Sequence, residues 1–277
     1  MTKPAASDII GEAGFARNIN MAEEMNMGDK GKHELWELLD GLKSRYNWVD
    51  LSFELSPQTP HWQGFSPMDV KPLYTFENTD GVFCANQYTL SGQYGTHIDF
   101  PGHFDPKGRL AHEYGVRDMA YPLVVIDKSA EVRANPDYEL SRADVLEFEK
   151  VNGPVPAGSF AVFRSDWSMR KAEEYENKDA EGHAHFPGWN IEALKYLVEE
   201  RNVAVIGHET PDTDSARSGD ALGMVGEDYV LKQGRLNVEL LRGLDRVPAV
   251  GALAFITFPN LKDGVGFSSR VFAIAPK

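Results

Sequence analysis

The chain has 277 residues, 42 acidic and 28 basic side chains, and a formal net charge of −14. That length suits one large α/β domain or two small ones with a sizeable core, and an acidic balance without a basic block argues against nucleic acid or a membrane surface as partner. A lone cysteine, Cys84, excludes an intrachain disulfide framework and, lacking activating neighbours in sequence, is expected in the core.

Residues 1–33 are small, polar and free of sustained hydrophobic period, and read as an N-terminal arm, a candidate oligomer contact. Neither the opening Met1-Thr2-Lys3-Pro4 nor any later stretch looks like a secretory signal or a spanning helix, so a soluble, cytoplasmic protein is expected. The rest, 34–277, reads as a single α/β domain with a mixed β-sheet core. Leu35, Leu38, Leu39 and Leu42 recur at helical spacing between Glu34 and Tyr46. Short β-rich runs follow at 48–54, 81–90, 122–127, 159–164, 203–207, 251–258 and 269–275. Helices alternate with the later ones. Ser141-Arg142-Ala143-Asp144 is a capping-box signature, Asn190 can cap a helix carrying Ile191, Leu194, Leu197 and Val198, and another starts near Gly226. Residues 171–189 read as a long surface loop.

The chemistry concentrates in Ser91-Gly92-Gln93-Tyr94-Gly95-Thr96-His97-Ile98-Asp99-Phe100-Pro101-Gly102-His103-Phe104. On an extended strand, positions 93, 95, 97 and 99 share a face, so Gln93, His97 and Asp99 converge and Gly95 leaves room for an ion. A helix would also align 93 with 97 but would throw Asp99 off. Pro101-Gly102 turns the chain and can bring His103 back over the same spot. Imidazole, carboxylate and carboxamide oxygen form a mixed N/O set suited to Zn²⁺ or Mn²⁺ with positions left for water. The bland alternative for such a pair on a strand is a satisfied surface hydrogen bond.

Gly95-Thr96-His97-x-Asp99-x-Pro101-x-His103 resembles the signature of the metal-dependent cyclase family, which includes kynurenine formamidases and isatin hydrolases. The family pattern is His-x-Gly-Thr-His-x-Asp-x-Pro-x-His, and this chain departs from it only at Gln93. Val49-Asp50-Leu51-Ser52, Leu55-Ser56-Pro57, Ile206-Gly207-x-Glu209-Thr210-x-x-x-Asp214, Glu239 through Leu244-Asp245 to Pro248, and Phe267-x-x-Arg270-Val271 are similar to further family segments. The resemblance implies one or two divalent ions (Mn²⁺ or Zn²⁺) on Gln93, His97, Asp99, Glu227 and Glu239. Glu227 stands where the family has histidine. It implies His103 as catalytic acid/base, a swivelling β/β/α fold and a homodimer or homotetramer.

The function expected is hydrolysis of a small-molecule amide or cyclic amide by metal-activated water. Lactone or ester hydrolysis, a lyase or dehydratase reaction on the same site, and a non-catalytic small-molecule binder are the alternatives. Trp62, Phe83, Tyr94 and Phe100 are candidates to line a pocket for a ring-bearing substrate. His185 is a candidate pocket wall, and His208, just beyond a strand's C-terminal end, a candidate substrate contact.

Overall fold

The computed structural model describes residues 33–277, so the arm expected over residues 1–33 lies outside the described residues apart from His33. The first helix, α1 (Glu34–Arg45), carries Glu34 and Glu37 in its first turn and Lys43 and Arg45 in its last, matching the helix dipole. It belongs to one compact unit, and the body spanning Asn47–Pro276 is another. Among the described residues no helix is long and apolar enough to cross a membrane.

The body opens with β1 (Asn47–Asp50) and a hairpin of β2 (Asp69–Tyr74) and β3 (Ala85–Thr89). It continues through β4 (His97–Asp99), β5 (Ala120–Asp127), α2 (Ser129–Ala134), β6 (Glu139–Leu140), α3 (Arg142–Asn152), β7 (Phe160–Arg164) and β8 (Gly188–Trp189). Then come α4 (Ile191–Lys195), running on as a π-helical turn to Glu200, β9 (Val205–His208), α5 (Ala216–Leu222), α6 (Val225–Lys232) and β10 (Leu236–Glu239). The chain ends on β11 (Ala252–Thr257), β12 (Gly266–Ser268) and β13 (Arg270–Ala275).

Nine strands form one mixed sheet in the order β1-β13-β11-β5-β7-β9-β10-β4-β12. The central β5, β7, β9 and β10 run parallel, and the flanking pairs are antiparallel. Parallel neighbours need crossovers, which the interleaved helices supply. The β12 strand is one edge of the sheet and β13 lies next to the other edge, yet only Ser269 separates them in sequence. The sheet therefore has to curl on itself. Ser269 N–H donates to Thr96 O at 2.8 Å, Phe53 N–H to Thr96 Oγ1 at 2.9 Å, and the Thr96 hydroxyl to Leu240 O.

Alternation along the strands separates two cores. Leu123, Val125, Phe160, Val162, Val205 and Val238 point inside the curl. Val124, Ile126, Ala161, Phe163 and Ile206 point out, against Leu194, Leu197 and Val230 of the helices. Both anticipated caps form: Ser141 and Asp144 make a reciprocal capping box, and Asn190 accepts from Glu192 N–H at 3.0 Å. Cys84 corrects the expectation of a core thiol. It is exposed at the hairpin, because a two-stranded ribbon has no second layer to bury it.

Gly207 on β9 faces the Phe160 ring so closely that a Cβ there would lie 2.6 Å from Phe160 Cε2 and 3.0 Å from Val238 O. Phe160→Ala is expected to lower unfolding free energy by about 3–5 kcal/mol, the range for deleting a fully buried aromatic. Urea titration measures it, and a loss under about 1 kcal/mol contradicts this account of the inner core.

Candidate metal centre

β4 is a three-residue strand held on both sides. Against β10, His97 faces Glu239 and Asp99 faces Asn237; against β12, His97 faces Ser268 and Asp99 faces Gly266. Directly opposed residues share a face, so His97, Asp99, Asn237 and Glu239 converge on one side while Ile98 and Val238 enter the inner core. The extended run is shorter than the alternation argument assumed. Gln93 arrives from a turn, and Gly95, with φ +64°, is surrounded by Leu55 and Thr59 rather than by a vacancy for an ion. Its carbonyl has a different use, as the hydrogen-bond partner of His97 Nδ1 at 2.7 Å.

A carbonyl only accepts, so Nδ1 carries the hydrogen and the Nε2 lone pair points into the site. There it meets Asp99 Oδ2 at 3.3 Å and Glu239 Oε2 at 3.5 Å. Both Asp99 carboxylate oxygens are buried without a hydrogen-bond partner, in a residue only 1% exposed. Such a group is costly unless a positive charge answers it. The His97 pKa reports the same demand. Burial pulls it down most strongly, but the neighbouring Asp99 carboxylate prevails and moves it up.

Two further carboxylates reach the site. Glu227 enters from the first turn of α6, whose amides are capped from a distance. Asp214 accepts from Gly226 N–H at 2.8 Å and from Glu227 N–H at 3.2 Å, which fixes where Glu227 points. Asp212 comes from the loop beyond β9, a position at the C-terminal end of a parallel strand where α/β sheets place ligands. Single ligand atoms of His97, Asp99 and Glu239 lie within 4.8 Å of one another, as do those of Asp99, His103 and Glu227, and those of Asp212, Glu227 and Glu239. Burial first, then the Asp99 charge, pushes the Glu227 carboxyl well above its ordinary range; burial and then Glu227 do the same to Glu239. Asp212 is pushed up to about 7 by burial and by Asp214. A buried cluster of mutually repelling carboxylates beside an open imidazole nitrogen fits a divalent cation.

His103 stands on the short 3₁₀ turn Pro101–His103, with Nε2 4.0 Å from Glu227 Oε1. Gln93 Nε2 approaches its Nδ1 at 3.5 Å. Gln93 and His103 border a cavity of about 260 Å³ together with Trp62, Phe65, Phe104, Pro211 and Met224. Trp62 and Phe65 meet edge to face, 5.1 Å between centroids.

Of the six expected substrate contacts, only Trp62 borders this cavity. Phe100 falls on the other face of its strand and packs in the core on Phe258 and Tyr114. Tyr94 is fully buried, stacked on His61, its hydroxyl donating to Ser56 O at 3.0 Å. Phe83 sits on the hairpin against Tyr74. His185 is held between Asp137 and Asp179 at 2.9 and 3.3 Å, in a different depression. His208 lies behind the site, its Nε2 3.6 Å from Glu239 Oε1, and burial drives its pKa down to about 3. The sequence reading missed Asp212, Phe65, Phe104 and Met224. Asp212 had one usable signal: it lies inside the quoted Thr210-to-Asp214 segment that follows a strand.

Gly266 faces Asp99 so tightly that a Cβ would stand 2.7 Å from Asp99 Oδ1 and 2.9 Å from Gln93 Nε2. Gly266→Ala is therefore expected to weaken divalent-cation binding at least tenfold by calorimetry, and unchanged affinity would contradict the tight fit. Glu209, buried beside the site, accepts from Ser165 N–H at 2.8 Å and from Ser168 Oγ, yet burial pushes its pKa up to about 7 from 4.5. Between those values the unfolded chain gives up the proton and the folded chain keeps it. Stability is thus lost as pH rises through this window, by up to about 3 kcal/mol. Urea titrations from pH 4.5 to 8 should show wild type losing stability relative to Glu209→Gln, and a constant difference would refute the assignment.

The chain matches the Cyclase (Putative cyclase) family profile over residues 49–215. It is 27% identical over 246 residues to isatin hydrolase of Roseibium aggregatum, covering 83% of this chain and 92% of that protein. A local match, 32% over 82 residues, links 30% of this chain to 39% of kynurenine formamidase from Bacillus mycoides. Isatin hydrolase A from Labrenzia aggregata, solved with benzyl benzoate, superposes with a TM-score of 0.82 at 28% identity, over 88% of this chain and all of that one. Isatin hydrolase A from Ralstonia solanacearum gives 0.78 at 27%, over 98% of this chain and 100% of its own. The profile match spans more than half of the sequence, and the chain belongs to the Cyclase family.

Proposed function

We propose that this protein is a metal-dependent hydrolase that opens the C–N bond of a small amide or cyclic amide. The observation that carries the reading is the face of β4, where His97 Nε2 and the unpartnered Asp99 carboxylate meet Glu239 beside an aromatic-walled cavity. Family membership and relatives named for isatin, a ring amide, support the reaction class.

His97, Asp99 and Glu239 would hold the ion, with Gln93 and Glu227 at its margin. A bound divalent ion would supply a water of lowered pKa and a Lewis acid for the substrate carbonyl. Carboxylates outnumber imidazoles here, which favours Mn²⁺ over the softer-ligand preference of Zn²⁺. Trp62, Phe65 and Phe104 would sandwich a flat ring and exclude bulk water from the reacting carbonyl. His103, at the cavity wall, takes the proton of the attacking water and returns it to the leaving nitrogen. The new C–O bond forms and the C–N bond breaks, giving a carboxylic acid, which then loses its proton to solvent, and an amine; in a cyclic amide both groups remain on one ring-opened product. Glu227, near His103 Nε2, steadies the imidazolium between the two transfers.

The enzyme is proposed to work in the cytoplasm, where a free exposed thiol such as Cys84 persists, and as a homodimer or homotetramer. The family resemblance supports the assembly, as do the exposed apolar side chains Leu73, Phe76 and Val82 of the hairpin.

Metal analysis of carefully purified protein should find divalent ion, and His97→Ala should lose both metal and turnover. His103→Ala should keep its metal while kcat falls about 10²–10⁴-fold. Substrates to compare are isatin-like lactams, formanilides, lactones and hydroxy acids. Protein that binds no metal and turns over none of them when Mn²⁺ or Zn²⁺ is added would sink the proposal.

A further inference from the structure

We propose that the substrate carries an arm of several atoms beyond its reacting ring, and that this arm lies in a second cavity past Trp62 and Met224. An amine or another N–H donor is favoured at its tip. This rests on the reading above that the first cavity is where the C–N bond is opened.

The first observation is a second cavity of about 220 Å³ that shares Trp62, Pro211, Asp212 and Met224 with the first. The two cavities adjoin along these four residues. Trp62 and Met224, each 40% exposed, are not wedged into a core at the join. The Trp62 ring lies over Gly64, where a Cβ would stand 1.6 Å from Trp62 Cζ3. Met224 follows Gly223, whose φ of +80° makes the turn between α5 and α6. Each side chain is thus carried on a glycine-bearing turn, and a thioether adapts readily to a group that passes it. The second observation is room built into helix α5. Gly219 borders the second cavity, and a Cβ placed on it would meet nothing within 4 Å. A glycine inside a helix costs stability relative to alanine, and Gly219 has no positive φ to require it. What its missing side chain provides is space in this cavity.

The lining sets the chemistry of the arm. Phe186 and Ala216 give the second cavity apolar surface for a methylene chain. Glu176 and Asp220 bring carboxylates to it in addition to Asp212, and no lysine, arginine or histidine borders it. Lys178 pairs with Glu176 at 2.6 Å and donates to Gln63 Oε1 at 3.1 Å, which answers one of the three charges. Arg217 opens on the neighbouring depression around His185 instead. Ser215 has no donor to offer, because its hydroxyl is given to Glu139 Oε1 at 2.8 Å. An ammonium or amide N–H at the tip of the arm therefore meets acceptors, whereas a carboxylate meets like charge. The ring stays on the aromatic side of the join, so the reacting carbonyl and the arm are recognised by separate groups of residues.

The test compares isatin and formanilide, each bare and each carrying a propyl, aminopropyl or carboxyethyl arm at successive ring carbons, with the full-length enzyme supplied with Mn²⁺ or Zn²⁺. At the best ring position the aminopropyl probe should exceed the bare ring in kcat/KM by about tenfold, the scale of burying its methylenes. It should exceed the carboxyethyl probe by about threefold or more. Gly219→Leu fills the second cavity and should bring the ratio of armed to bare probe down to about one, a ratio that general damage to the enzyme would not move. Gly219→Met, a straight-chain filler of the same space, takes its place if the leucine variant does not fold. Asp220→Asn should narrow the amino-over-carboxy margin. A bare ring preferred to every armed probe, or a folded Gly219 variant that keeps the full preference, overturns the second cavity as the seat of the arm and leaves the hydrolase reading standing. A preferred carboxyethyl arm, or a margin unchanged in Asp220→Asn, overturns the chemistry assigned to the tip. No turnover of any probe overturns the hydrolase reading and this inference with it.

Discussion

Negative charge gathered out of water around one imidazole nitrogen is the constraint that the rest of this structure serves. His97 cannot turn its ring, because Gly95 O holds Nδ1, and Asp99 cannot find a donor, because its neighbours on β10 and β12 are Asn237 and a glycine. Asn237 spends its amide on Thr213 and Glu239 instead. The face is therefore short of positive charge by construction. A buried carboxylate left in that state costs several kcal/mol, and the protein offers no lysine or arginine among the residues that border the cavity.

That arrangement depends on the way the sheet closes. β4 is too short to hold its register alone, and its three residues are fixed by partners that come from distant parts of the chain. β10 arrives as the last of the parallel strands, and β12 arrives only because the sheet curls until β12 and β13 are one residue apart. Thr96 marks the seam, joined to Phe53, Leu240 and Ser269. Inside the curl Ile98 and Val238 lock the same two strands from below, so packing in the core and ligand placement above it are two sides of one register.

Loops beyond the strands finish the site, and each is tied by hydrogen bonds to buried acids. Glu209 ties the end of β9 to Ser165 and Ser168 beyond β7. Asp214 reaches to the start of α6. These carboxylates touch no reacting atom. They hold backbone amides, and so fix side chains that do face the cavity, which is how outer hydrogen bonds orient metal ligands in general.

What was legible in the sequence was local. The Gly95-to-His103 segment placed His97, Asp99 and His103 near one another because strand alternation and a Pro-Gly turn act over a few residues. Helices with strong caps, at Ser141 and Asn190, were legible for the same reason. Glu227 and Glu239 were reachable only through resemblance, since over 120 residues separate them from His97 and no periodicity spans that gap. Asp212 went unread because its one mark, a place in a loop that follows a strand, does not say what that loop faces; the return of β10 brings Glu239 to it, and Asp214's hold on α6 brings Glu227. Phe83, Tyr94 and Phe100 were misplaced because aromatic character says nothing about which face of a strand, or which layer, will take the ring. Sequence by itself determined the donor types and their short-range spacing, through backbone geometry. Only the tertiary structure decided which carboxylates share one site, because strand register and sheet closure join residues that the chain keeps far apart.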